Sequence, residues 1–261
     1  MFVDSHCHLD RLDLSEFDNQ IKNVVENAHK AAVDKMLCVS VTLAEFPSMA
    51  EKTSSFENVY LSCGMHPLNQ DDYVDQSLLK ELSQHERVVA VGETGLDYFY
   101  APETKTLQQD SFVKHIAVAN ELSKPLIIHT RDAKEDTLSI MRSEKAHQCT
   151  GVLHCFTETW EMAKQAIDMG FYISFSGIVT FKNAVELREV AKKVKSDICP
   201  TVQHHDPSNA PGKLEGHLNH RQCECDSHDH DTIHRRPGMS PLPASFRSWQ
   251  LEMHHVSGDD L

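Results

Sequence analysis

Across residues 1–198 the chain alternates short apolar runs with stripes of apolar residues at helical spacing. The runs at 35–41, 59–64, 88–91, 126–128, 151–156 and 171–177 are too short for helices and read as buried strands. Between them, Phe17, Ile21, Val24, Val25 and Ala28 recur on one helical face, as do Leu107, Phe112, Ile116, Ala119 and Leu122. Trp160, Ala163, Ala166 and Ile167 mark another helix, closed by Gly170. A more polar helix is expected over 78–85 and a last one from about 183 to 195. With a first strand at 2–8, this makes seven strand and helix units. Strands that are apolar on both faces belong in a parallel sheet covered on both sides. Seven such units in a row predict a TIM-type (β/α)8 barrel.

No eighth unit follows. The segment 199–261 holds nine of the eighteen histidines, is rich in proline, and contains no strand-like apolar run. The expected organisation is therefore a barrel over 1–198 lacking its eighth strand and last helix, and a His/Pro-rich tail over 199–261 whose composition reads as disordered. His204-His205-Asp206, Cys223-x-Cys225 and His228-Asp229-His230 raise a separate metal-binding tail as the alternative. The cysteines lack the paired Cys-x-x-Cys spacing of structural zinc sites.

The chemistry lies at the strand ends, which converge on one face of a barrel. His6-x-His8 places two imidazoles on the same side of an extended chain. Glu93 follows an apolar strand and is flanked by Gly92 and Gly95; His129 and His154 end the fifth and sixth strands. A carboxylate in such surroundings is costly unless a cation or donor meets it. The five residues together predict a seat for divalent ions, with imidazole and carboxylate suiting zinc or manganese, and magnesium where water completes the shell. Glu93 is expected to bridge two ions and act as the catalytic carboxylate, with His6 and His8 on one ion and His129 and His154 on the other. Two metals in that arrangement activate a shared water and stabilise the leaving oxygen of a phosphodiester, or polarise a carbonyl. Hydrolysis is the expected reaction. Arg131 either neutralises a substrate phosphate or braces its loop through a salt bridge. His66, before Pro67, is a further substrate-binding candidate, whereas His85, His115 and His147 lack the strand-end register and are expected at the surface.

Charge narrows the partners. At a formal net charge of −14 the chain has no basic stripe of the kind that binds nucleic acid non-specifically. A nucleic-acid substrate must then be attracted by bound metal and a few local cations. No signal peptide or membrane span is read, and Cys7, Cys38, Cys63 and Cys155 sit in apolar runs as reduced thiols, so a cytoplasmic location is expected.

Several blocks also carry a family resemblance. Val3-Asp4-Ser5-His6-Cys7-His8-Leu9-Asp10, Cys63-Gly64-Met65-His66-Pro67, Gly92-Glu93-Thr94-Gly95-Leu96-Asp97-Tyr98, Pro125-Leu126-Ile127-Ile128-His129-Thr130-Arg131-Asp132-Ala133 and Leu153-His154-Cys155-Phe156-Thr157 resemble the signature blocks of the TatD family of metal-dependent hydrolases, bacterial branch, over residues 1 to about 196. The resemblance implies a TIM barrel of the amidohydrolase-like superfamily and 3′-to-5′ exonuclease activity on DNA, assisted by magnesium or another divalent ion. It also implies His6, His8, Glu93, His129 and His154 as ligands.

One departure stands out. The family's eighth strand ends in Glu-Thr-Asp-Ser-Pro-Tyr, whose aspartate serves as ligand and water-activating base; this chain has no such segment. Asp206 is the nearest carboxylate by position, and no apolar strand leads into it. The tail is read as the product of a frame change, an alternative junction or a damaged gene copy, which the nucleotide sequence tests. Two readings compete with an active nuclease. One is a cyclic-amide hydrolase or deaminase, disfavoured by Glu93 in place of a bridging modified lysine. The other is a catalytically dead fragment that binds metal.

Overall fold

The computed structural model describes residues 2–194; the expected loss of an eighth strand, the tail 199–261 and Asp206 lie outside the described residues. The elements in order are β1 (Phe2–Cys7), α1 (Ile21–Lys30), β2 (Val33–Cys38), α2 (Phe46–Lys52), β3 (Val59–Cys63), α3 (Gln76–Ser83), β4 (Val88–Asp97), α4 (Lys105–Leu122), β5 (Leu126–Arg131), α5 (Lys134–Ser143), β6 (Gly151–Leu153), α6 (Trp160–Asp168), β7 (Phe171–Ile173) and α7 (Val185–Lys193). The seven strands pair in chain order and all in parallel, giving a curled half-barrel with helices on its outside. Among the described residues, β1 and β7 are its two edges.

Two apolar layers follow from strand alternation. The larger one joins one face of the sheet to the helices through residues such as Met36, Leu61, Ile128 and Leu153 against Phe112, Ile116, Met141 and Met162. Burying one such side chain stabilises the fold by about 1.5–3 kcal/mol. The smaller layer, Leu37, Val39, Ala90 and Ile127 with Val152 beside them, lies on the opposite face. Ile127 is two residues before His129, and Val152 two before His154. This inner layer is therefore the apolar floor beneath the strand-end histidines.

Strand lengths differ from the expected pattern. β6 and β7 have three residues each, so His154 and Cys155 fall just beyond β6, while β4 runs for ten residues to Asp97 and β5 for six to Arg131. Glu93 and His129 thus sit inside longer strands rather than at their last residues. The β4–β5 register shifts between Val91 and Thr94, and a break of this kind re-aims the intervening side chain. Glu93 lies in that break. Gly92 and Gly95 have φ values of 143° and 129°, and a Cβ at Gly95 would strike the backbone oxygen of His129. What these glycines admit is the backbone of β5, which brings His129 next to Glu93.

Three helical features also depart from the sequence reading. α2 carries no long stripe, yet buries Phe46, Met49 and Ala50 with Pro47 in its first turn. His115, expected at the surface, is wholly buried. It lies three residues after Phe112 and four before Ala119, so it shares the buried stripe of α4 despite its polarity. His85 is half-buried and meets the Phe46 ring edge-on, correcting the same expectation, while His147 is exposed.

Candidate metal centre

Glu93 is the centre of the rim. It is 3% exposed, and three imidazoles surround its carboxylate: His6 Nε2 at 3.3 Å, His129 Nδ1 at 3.4 Å and His66 Nε2 at 3.7 Å. Burial would push this carboxyl up, but His66, His6 and His129 outweigh it and hold Glu93 well below the usual carboxylate range. No lysine or arginine pairs with it among the described residues.

His8, His129 and His66 are each oriented by a further partner. His8 Nδ1 donates to the backbone oxygen of Val39 at 2.9 Å, which leaves Nε2 as the lone-pair nitrogen. Burial and the neighbouring His6 lower its pKa, keeping the ring neutral as ligation requires. His129 Nε2 donates to Asp97 Oδ2 at 2.9 Å and turns Nδ1 to Glu93. Burial opposes charge on this ring, yet its hydrogen bonds to the Asp97 and Glu93 carboxylates raise it to about 9, so a cation binding at Nδ1 would have to displace the proton there. The pair has the carboxylate–histidine arrangement that orients metal-binding imidazoles.

His66 behaves differently. Its Nδ1 accepts the Leu68 N–H at 3.2 Å, and burial lowers the ring to about 4. A neutral imidazole with Nδ1 as acceptor carries its proton on Nε2, the nitrogen that faces Glu93. His66 is thereby set as a hydrogen-bond donor. His154 is 4% exposed and stacks parallel on His6, with ring centroids 3.6 Å apart.

Two groups of donors close to within 4.8 Å among the described residues: His6, His8 and Glu93, and His66, Glu93 and His129. The expected pairing of His129 with His154 is not the one the side chains adopt, since His154 lies against His6 and His129 against His66. Buried and half-buried nitrogen and carboxylate donors converging from the strands and the segments just after them suit a divalent cation. Arg131 makes no ion pair among the described residues; its guanidinium lies over Phe99 and Tyr100, so the salt-bridge brace is not seen. Asp97 is the residue that strand-end reading missed. Its signal was a second acidic residue closing the same glycine-flanked segment as Glu93.

A family model described as TatD related DNase matches residues 3–199. The chain belongs to the TatD family. It is 52% identical over 217 residues to a protein of Escherichia coli K12 described as the uncharacterized metal-dependent hydrolase YcfH, covering 83% of this chain and 82% of that one. It is 38% identical over 213 residues to the uncharacterized metal-dependent hydrolase YabD of Bacillus subtilis, covering 78% and 82%. A crystal structure of YJJV, a TatD homologue from Escherichia coli K12, matches with a TM-score of 0.69 at 23% identity over 76% of each chain, which supports the fold. This TatD-family chain is a metal-dependent hydrolase, and the family match spans every rim residue described above. Among the described residues no helix is long and apolar enough to cross a membrane.

Proposed function

We propose that this hydrolase cleaves phosphodiester bonds of DNA as a 3′-to-5′ exonuclease, with two divalent ions of magnesium, manganese or zinc type. The observation that carries the reading is that one buried carboxylate, Glu93, belongs to both groups of donors. Bound ions supply Lewis acidity that activates water and neutralises phosphate charge. His6, His8 and Glu93 would hold one ion, and Glu93 with His129 would hold the second, His129 being oriented by Asp97. His154 completes the donor set from the end of β6. His66 offers its Nε2–H to a phosphate oxygen, a substrate-binding role that its Leu68 hydrogen bond favours over ligation. The five described cysteines are free and four of them are buried, which suits a cytoplasmic location.

The test is the full chain, stripped with EDTA and reloaded with manganese, on end-labelled single-stranded DNA. Metal-dependent release of mononucleotides from the 3′ end, lost in His129→Ala, is expected. Stoichiometric manganese binding with no DNA cleavage, alongside turnover of a hydantoin or dihydropyrimidine, would replace this reading with cyclic-amide hydrolysis.

A further inference from the structure

The turn after β4 holds two large aromatic rings in solvent beside the metal centre. Phe99 is 54% exposed and Tyr100 60%. Single exposed apolar side chains are ordinary, but this pair is fixed in place. Asp97 Oδ1 accepts the backbone N–H of Phe99 at 3.1 Å and of Tyr100 at 2.8 Å. The rings meet edge to face, with centroids 4.7 Å apart. Arg131, register partner of Asp97 across β4 and β5, lays its guanidinium 4.5 Å from the Phe99 centroid and 4.6 Å from that of Tyr100. The other oxygen of Asp97 holds His129. One carboxylate therefore ties the aromatic turn to the candidate metal centre.

We propose that Phe99, Tyr100 and Arg131 form a stacking subsite for a nucleobase adjoining the scissile phosphate. The proposal rests on the phosphodiesterase reading above and adds the group that the site recognises. A chain of net charge −14 gains little from a general attraction to phosphate, so local affinity must come from elsewhere. Flat π faces stack with any base, and a guanidinium held on them, outside ion-pair distance of any carboxylate among the described residues, complements the attached anionic phosphate. A base within a duplex has its faces covered, so the platform takes a base that has left the stack.

The experiment compares two octamers in fluorescence anisotropy with the manganese-loaded full chain, both built on phosphorothioate linkages that resist cleavage. One is all thymidine, and the other carries base-free sugars at its two 3′-terminal positions. The wild type should bind the thymidine octamer about tenfold more tightly, and Phe99→Ala with Tyr100→Ala should bind the two alike. Manganese calorimetry confirms that the double variant is intact. Should it lose metal, Phe99→Leu with Tyr100→Leu keeps apolar bulk without π faces and should also fail to discriminate. Equal binding of both octamers by the wild type, or discrimination retained by an intact double variant, overturns the subsite and leaves the phosphodiesterase reading standing. A manganese-loaded wild type that binds neither octamer defeats both.

Discussion

The inner face of α4 and the rim around Glu93 both bury polar side chains, and they satisfy them by different means. On α4, Gln108, Ser111 and His115 are fully buried. Gln108 Nε2 donates to the backbone oxygens of Asp97 and Ala101, and its Oε1 accepts the Asp97 N–H. His115 accepts the Met65 N–H at Nε2 and donates from Nδ1 to the Ser111 backbone oxygen. Backbone groups fixed by the fold are the main partners, so these side chains bind the structure together. At the rim, Glu93 faces three imidazoles, and titratable groups face one another. Buried polarity is structural where backbone satisfies it, and it marks a site where titratable side chains satisfy one another.

Glu93→Gln should break the comparison most sharply. It keeps the shape and removes the charge shared by both donor groups, so manganese binding measured by calorimetry should be lost, and DNA cleavage should fall on the order of a thousandfold. A variant that binds manganese like the wild type would show that the rim, like α4, is only structural. Asp97→Asn is the next largest. The amide no longer stabilises an oriented His129 as the carboxylate does, and metal affinity should drop roughly 10–100-fold. Unchanged affinity would separate Asp97 from the metal centre and leave it as the anchor of the Phe99–Tyr100 turn alone.

The same contrast explains what was legible in the sequence. Strand alternation and strand-end position led to Glu93, His6, His8, His129 and His154, because in a parallel barrel those positions carry a geometric meaning. Asp97 was hidden because β4 and β5 continue past the rim as a paired ribbon, so a residue four beyond Glu93 still faces His129, and its acidic character at the close of the glycine-flanked segment was the one local mark. His115 was misread for the opposite reason. Polarity suggested the surface, and only its spacing from Phe112 and Ala119 pointed inward. α2 escaped notice because seven residues carry too short a stripe.

His115→Leu tests the structural side. It strands the Met65 N–H and should destabilise the metal-free protein by about 2 kcal/mol in urea unfolding at pH 7. Acid should then shrink that gap. Burial lowers His115 from 6.5 to about 4, so its contribution is complete above the unfolded value and is lost as pH falls toward the folded one. Asp4 acts with the opposite sign: burial raises it to about 7, so the folded state takes up its proton first and gains stability on acidification. The wild-type curve alone is therefore not diagnostic. The difference between wild type and His115→Leu cancels Asp4 and every other shared group, and it should narrow by about 1 kcal/mol between pH 7 and 5.5. A gap that stays constant over that interval would mean that His115 is readily protonated inside the fold, and that the buried face of α4 is as electrostatically active as the rim.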